Sequence, residues 1–249
     1  MDIRTDSARQ VFQGLLDLVF PRTCASCQAV VAETPSRHLC WECARKIRYQ
    51  SIEAYCSRCG RDIPGPHADA FVCDACRDHP PAFDLARSAA HFSGPVRDLV
   101  HLLKYNRGDY LVPDLADLLE ACHSRHYADE PIDVLCPVPL HPEKQRLRGY
   151  NQSALLASEL SRRLGIPSLP DALVRTRDTE TQTHLNAEKR RANMRDAFAG
   201  NPVLSGWITG RTVLLVDDVM TTGSTLSEAA RALRAAGAER ILALTVARD

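Results

Sequence analysis

The 249-residue chain has no excess of charge: Lys plus Arg number 31 and Asp plus Glu number 31. That balance excludes a bulk-basic nucleic-acid binder and a long acidic tail, so positive charge acts only in local patches. Lysine itself is scarce, at 4 residues against 27 arginines. No apolar run reaches the ~18 residues that a membrane span needs. A secretory leader is not expected either, because Asp2 and Asp6 spoil a basic start and Asp17 breaks the apolar run. The spacing of Val11, Phe12, Leu15, Leu16, Val19 and Phe20 instead predicts a short amphipathic helix ending at Pro21. The expected location is therefore cytoplasmic, where thiols stay reduced.

Cysteine is sparse over most of the chain and dense in one stretch. Only Cys122 and Cys136 lie outside the interval 24–76, which holds four C-x-x-C pairs: Cys24/Cys27, Cys40/Cys43, Cys56/Cys59 and Cys73/Cys76. Each pair sets two thiolates on one face of a metal ion, and two pairs complete a tetrahedral zinc site. One or two structural Zn²⁺ are expected. The short spacers favour sequential pairing, giving two zinc ribbons in a row, over a crossed brace. Disulfides or a redox C-x-x-C are the competing readings, and reducing conditions weigh against both. Residues 1–80 carry ten basic and ten acidic side chains, which weakens a nucleic-acid role for the ribbons. So small a region with few large aliphatics needs the metal for its stability.

From residue 81 onward, apolar periodicity takes over. Strands are expected at 86–92, within IDVLCPVPL, at 174–176, 212–216 and 241–247. Helices are expected at 94–104, 109–125, 151–164 and 224–236. Strand–helix alternation implies an α/β domain, a parallel sheet flanked by helices with a ligand crevice at the strands' carboxyl ends. The expected division is 1–80 for the amino-terminal helix and double ribbon and 81–249 for the α/β domain.

The most informative stretch is VLLVDDVMTTGSTLSEAARAL. A buried strand delivers Asp217 and Asp218 at its carboxyl end. Thr221, Thr222, Gly223, Ser224 and Thr225 then make a small-residue turn that opens a helix. Such a turn offers backbone N–H groups, hydroxyls and a positive helix terminus to one phosphate. Two carboxylates beside it suit the 2- and 3-hydroxyls of a ribose 5-phosphate. The lysine of a nucleotide-triphosphatase loop is missing. No dedicated general base is evident.

The stretch resembles the phosphoribosyl-pyrophosphate (PRPP) signature of type I phosphoribosyltransferases. With the cysteine pairs, GPVRDLVHLLKYNRGDY, PVPLHPEKQRLRGYNQ and the polar segment 175–198, the chain resembles the ComF (competence protein F) family over nearly its whole length. The resemblance implies a type I phosphoribosyltransferase fold behind an amino-terminal double zinc ribbon. It places Leu140, His141, Arg146 and Arg148 in a pyrophosphate loop and Gln182, Arg190, Arg191 and Asn193 in a lid. It implies that PRPP binds with Mg²⁺, that Asp217 and Asp218 serve catalysis, and that phosphoribosyl transfer releases pyrophosphate in a setting of natural competence and DNA uptake. The other reading it allows is a non-catalytic PRPP sensor that binds single-stranded DNA or DNA-uptake proteins. Tyr105, Tyr110 and Tyr150 would then stack bases beside the arginine-rich loops.

Overall fold

The structure, a computed structural model, describes residues 22–31, 37–65, 71–177 and 194–249. The expected helix before Pro21 and the four lid residues lie outside these. Among the described residues no helix is long and apolar enough to cross a membrane.

Four parallel strands form the central sheet: β1 (Leu85–His91), β2 (Val134–Pro137), β5 (Thr212–Met220) and β6 (Arg240–Arg248), in the order β1-β6-β5-β2. β3 (Leu173–Arg175) and β4 (Phe198–Gly200) pair separately as an antiparallel ribbon. The helices are α1 (Gly94–Tyr105), α2 (Val112–His126), α3 (Pro142–Arg148), α4 (Gln152–Leu164) and α5 (Ser224–Ala235). The two central strands, β5 and β6, read as near-continuous apolar runs because both of their faces are covered. Leu214, Val216, Leu242 and Leu244 pack with α1, α2 and α4 on one face. Val213, Leu215, Ile241 and Ala243 pack with α5 on the other. Each buried Leu or Val is worth about 1.5–3 kcal/mol relative to exposure, so the sheet is the rigid base of anything at its carboxyl edge.

Three differences from the sequence pattern matter for the site. β5 does not stop at Val216; it carries Asp217 and Asp218 within the ladder and ends at Met220, paired with Arg248. The segment after β2 is not all loop, because Pro142–Arg148 is helical. It buries no side chain and therefore shows no apolar period; its signals are Pro142 at the start and Gly149, at φ +89°, at the end. β4 is too short to show an alternation and forms through its pairing with β3.

The cysteine region has an internal repeat. Cys24, Cys27, Cys40 and Cys43 make one cluster of sulfurs, and Cys56, Cys59, Cys73 and Cys76 make the other. Pairing is thus sequential. The N–H of Cys40 points to Cys24 Sγ and that of Cys73 to Cys56 Sγ, both at 3.4 Å. After the first C-x-x-C of each ribbon, Gln28 and Gly60 take left-handed conformations at φ +62° and +69°.

The two ribbons straddle the free edge of β1. The first tetrad packs in the core shared with α1 and α2, the second in the core shared with α5. Backbone N–H groups of Ala86 and His91 bond to the carbonyls of Arg58 and Arg48, and that of Gln50 to the carbonyl of Ala89. An open edge that would otherwise template aggregation is covered. Approach is close at Gly60, where a Cβ would stand 2.7 Å from the Ala86 carbonyl oxygen. Side chains extend the contact: Arg87, 8% exposed, donates to the Ser57 carbonyl and lies over the Tyr55 ring, while His38 pairs with buried Asp114 at 2.7 Å.

Candidate functional site

Strand β5 brings the acid pair to the sheet's carboxyl edge, beside a cavity of about 420 Å³. Asp217, Asp218, Thr221, Gly223, Ser224, Thr225 and Leu140 all line it. The turn is held by Thr222 and Ser224, whose hydroxyls are 2.8 Å apart, and by Gly223 at φ +80°. A Cβ at Gly223 would approach only the flexible end of Met220, Cε at 2.7 Å, so it is the conformation that calls for glycine. Helix α5 starts immediately after, the Ser224 N–H turned toward Thr222 Oγ1 at 3.4 Å.

The acid pair is buried, Asp217 at 8% and Asp218 at 3% exposure. Ser153 Oγ, from the first turn of α4, donates to Asp217 Oδ1 at 2.8 Å, and the Asp218 N–H donates to the same oxygen at 2.9 Å. Burial, and then the charge of Asp218, raise the Asp217 carboxyl to about 7. Lys104 Nζ sits 2.7 Å from Asp218 Oδ1. Burial works against the lysine's charge, but Asp218 and then Asp217 outweigh it and raise its pKa. Asp218 Oδ2 is buried without a hydrogen-bond partner among the described residues. It is an acceptor waiting for a donor.

Not every expected residue reaches this cavity. Thr222 faces an adjoining cavity on the other side of the turn. Arg146 and Arg148 line a separate concavity with Arg107, Asp109 and Tyr150. Arg148 also hydrogen-bonds Gln152 and lies 5.5 Å from the Tyr105 ring centroid. His141 stands at the start of α3 and does not line the acid-pair cavity. Of the three tyrosines, Tyr105 and Tyr110 are exposed, whereas Tyr150 donates its hydroxyl to the Leu103 carbonyl.

Sequence reasoning missed Lys104, Ser153 and Arg175, the last lining the cavity from β3. Lys104 had a signal: it continues the apolar stripe of Val96 and Val100 at four-residue spacing, where a charge needs a partner. Ser153 and Arg175 had none.

The cysteine tetrads fit zinc. Four sulfurs on arms of ~2.3 Å stand about 3.8 Å apart at the corners of a tetrahedron. Cys27–Cys40 and Cys59–Cys73 sulfur distances are both 3.8 Å, far from a disulfide bond. Cys122 and His126 join no third cluster among the described residues; Cys122 is buried, and His126 packs edge-on to Tyr55.

These features define a type I phosphoribosyltransferase domain joined to a structural zinc module. Family models agree: the phosphoribosyl transferase domain matches residues 151–249 and the double zinc ribbon domain residues 15–78. The chain belongs to the ComF family of competence and DNA-utilization proteins. It is 35% identical to competence protein F of Haemophilus influenzae over 84% of this chain and 90% of that one. It is 34% identical to DNA utilization protein YhgH of Escherichia coli K12 over 82% and 87% of the two chains. Competence protein ComFC of Bacillus subtilis is 26% identical over 80% and 79%. Among solved structures, B. subtilis glutamine PRPP amidotransferase matches 55% of this chain and 26% of its own, with 22% identity and a TM-score of 0.37.

Proposed function

We propose that the chain binds PRPP with Mg²⁺ at the acid pair and phosphate turn, and transfers the phosphoribosyl group with release of pyrophosphate. The observation that carries this reading is the meeting of Asp217, Asp218, Thr221, Gly223, Ser224 and Thr225 around one cavity. The turn holds the 5-phosphate through N–H groups and hydroxyls. Asp217 and Asp218 accept hydrogen bonds from the ribose hydroxyls; Asp218 Oδ2, buried, has no hydrogen-bond partner among the described residues. Carboxylate oxygens suit Mg²⁺, which when bound neutralises charge on the departing pyrophosphate.

In transfer, a bond forms from the nucleophile to the anomeric carbon as the bond from that carbon to pyrophosphate oxygen breaks. This chain's part is positioning and charge stabilisation. Leu140 is the member of the expected pyrophosphate loop that lines the cavity, and Arg175 brings a cation to its wall. Gln182, Arg190, Arg191 and Asn193 belong to the lid in this reading, and residues 1–80 brace the domain formed by 81–249. Screening nucleobases and amines for PRPP-dependent pyrophosphate release tests it. Release that needs both acids supports transfer.

One observation favours a second reading, a PRPP sensor that handles single-stranded DNA. Arg107, Arg146 and Arg148 gather around their own concavity, outside the acid-pair cavity, with Leu147 89% exposed beside them. PRPP binding without turnover, together with salt-sensitive oligonucleotide binding lost in Arg146→Ala, selects that reading.

A further inference from the structure

A second cavity, of about 410 Å³, opens on the far side of the phosphate turn, between the second cysteine ribbon and the start of α5. It meets the acid-pair cavity at Met220, Gly223 and Ser224, which line both. Arg61, Arg195, Arg231 and Arg248 line it, against Asp78 and Glu228. Arg231 is paired with Glu228 at 3.3 Å. Arg248 is 5% exposed and anchored by the Cys59 carbonyl at 2.6 Å and Met220 Sδ at 3.2 Å. Arg61 and Arg195 have no carboxylate partner among the described residues. Pro80, Pro81 and the buried Phe83 add apolar lining, and Cys59 and Cys76 of the second tetrad line the cavity as well.

We propose that this cavity is a ligand site for a nucleoside monophosphate, distinct from the ribose site. Its phosphate meets Arg61, Arg231 and Arg248, and its flat base lies against Pro80 and Pro81. Three features support the class. The volume falls within the ~300–1,000 Å³ usual for small-molecule sites. Guanidinium groups suit phosphate oxygens in paired hydrogen bonds. The apolar lining supplies the area that inorganic phosphate alone would not use. The ligand touches the turn from behind, where Thr222 points, so occupancy of one cavity bears on the other through Gly223 and Ser224.

The proposal stands apart from the PRPP reading and is tested separately. AMP and UMP are titrated by calorimetry into the zinc-loaded full chain, with and without saturating PRPP and Mg²⁺. Arg61→Ser plus Arg231→Ser, two exposed positions whose loss leaves the core intact, are compared with Arg146→Ser. The expected result is binding that the double variant weakens about tenfold or more, that Arg146→Ser leaves unchanged, and that survives PRPP within about threefold. Inorganic phosphate should bind more weakly than either nucleotide. Absence of nucleotide binding, equal weakening by Arg146→Ser, or simple competition with PRPP would overturn the proposal. Failure of PRPP itself to bind leaves the comparison of wild type with the double variant intact.

Discussion

Lys104 and Asp218 form an ion pair at 2.7 Å inside the acid-pair cavity, with side chains 21% and 4% exposed. The lysine comes from α1, more than a hundred residues from the acid pair, and sets its ammonium against Asp218. Asp217, whose nearest donors are Ser153 and a backbone N–H, is pushed up to about 7 by burial and its neighbour's charge.

Removing the ammonium leaves two adjacent buried carboxylates without that cation. Lys104→Met should destabilise the free protein by about 3 kcal/mol at pH 8, on the order of 10 °C in Tm. The loss should shrink toward pH 5 as the pair takes up a proton. Calorimetric melting at the two pH values checks it.

Asp217 has its own pH signature. Its folded-state pKa of about 7 lies above the ordinary carboxylate value, so the native state holds the proton more tightly. The stability this contributes is present at low pH and fades as pH rises from about 4 through about 7. Asp217→Asn keeps an acceptor for Ser153 and carries no charge. Its Tm relative to wild type should rise across that window and level off above it. PRPP–Mg²⁺ affinity of the wild type should strengthen from pH 6 to pH 8, as the carboxylate ionises.

What could be read from the sequence was whatever chemistry is contiguous. Asp217 to Thr225 forms strand end, acid pair and turn within nine residues, and each cysteine tetrad is two short pairs with a fixed spacer. Lys104 and Arg175 reach the cavity from α1 and β3 and Ser153 reaches Asp217 from α4, and only the tertiary fold brings them there. α3 escaped because Leu147, its one large apolar residue, points to solvent. The covering of the β1 edge by the ribbons was also hidden, because it is made largely by backbone hydrogen bonds, which carry no side-chain pattern.

Sequential pairing makes a stoichiometric prediction. Metal analysis should find two zinc ions per chain. Cys40→Ser should lose one and Cys73→Ser the other, neither losing both. Because the tetrads pack in opposite cores of the sheet, either loss should lower Tm of the whole chain. A strong chelator should unfold the β1 edge first, read as faster amide exchange at residues 85–91.

Gly223 tests the turn. Gly223→Ala places a Cβ against Met220 Cε and forces an L-residue to φ +80°. The strain should cost about 1 kcal/mol or more. PRPP affinity should fall about tenfold, because the N–H groups of the turn shift, while zinc content stays unchanged.

The most direct test of the account is PRPP binding at the acid pair. Calorimetric titration of PRPP with Mg²⁺ into the zinc-loaded chain, repeated with Asp217→Asn plus Asp218→Asn, isolates it. The account predicts saturable one-site binding by the wild type and a loss of about a hundredfold or more in the double variant, with folding intact. Equal affinity in the two proteins, or no binding by the wild type, would contradict it.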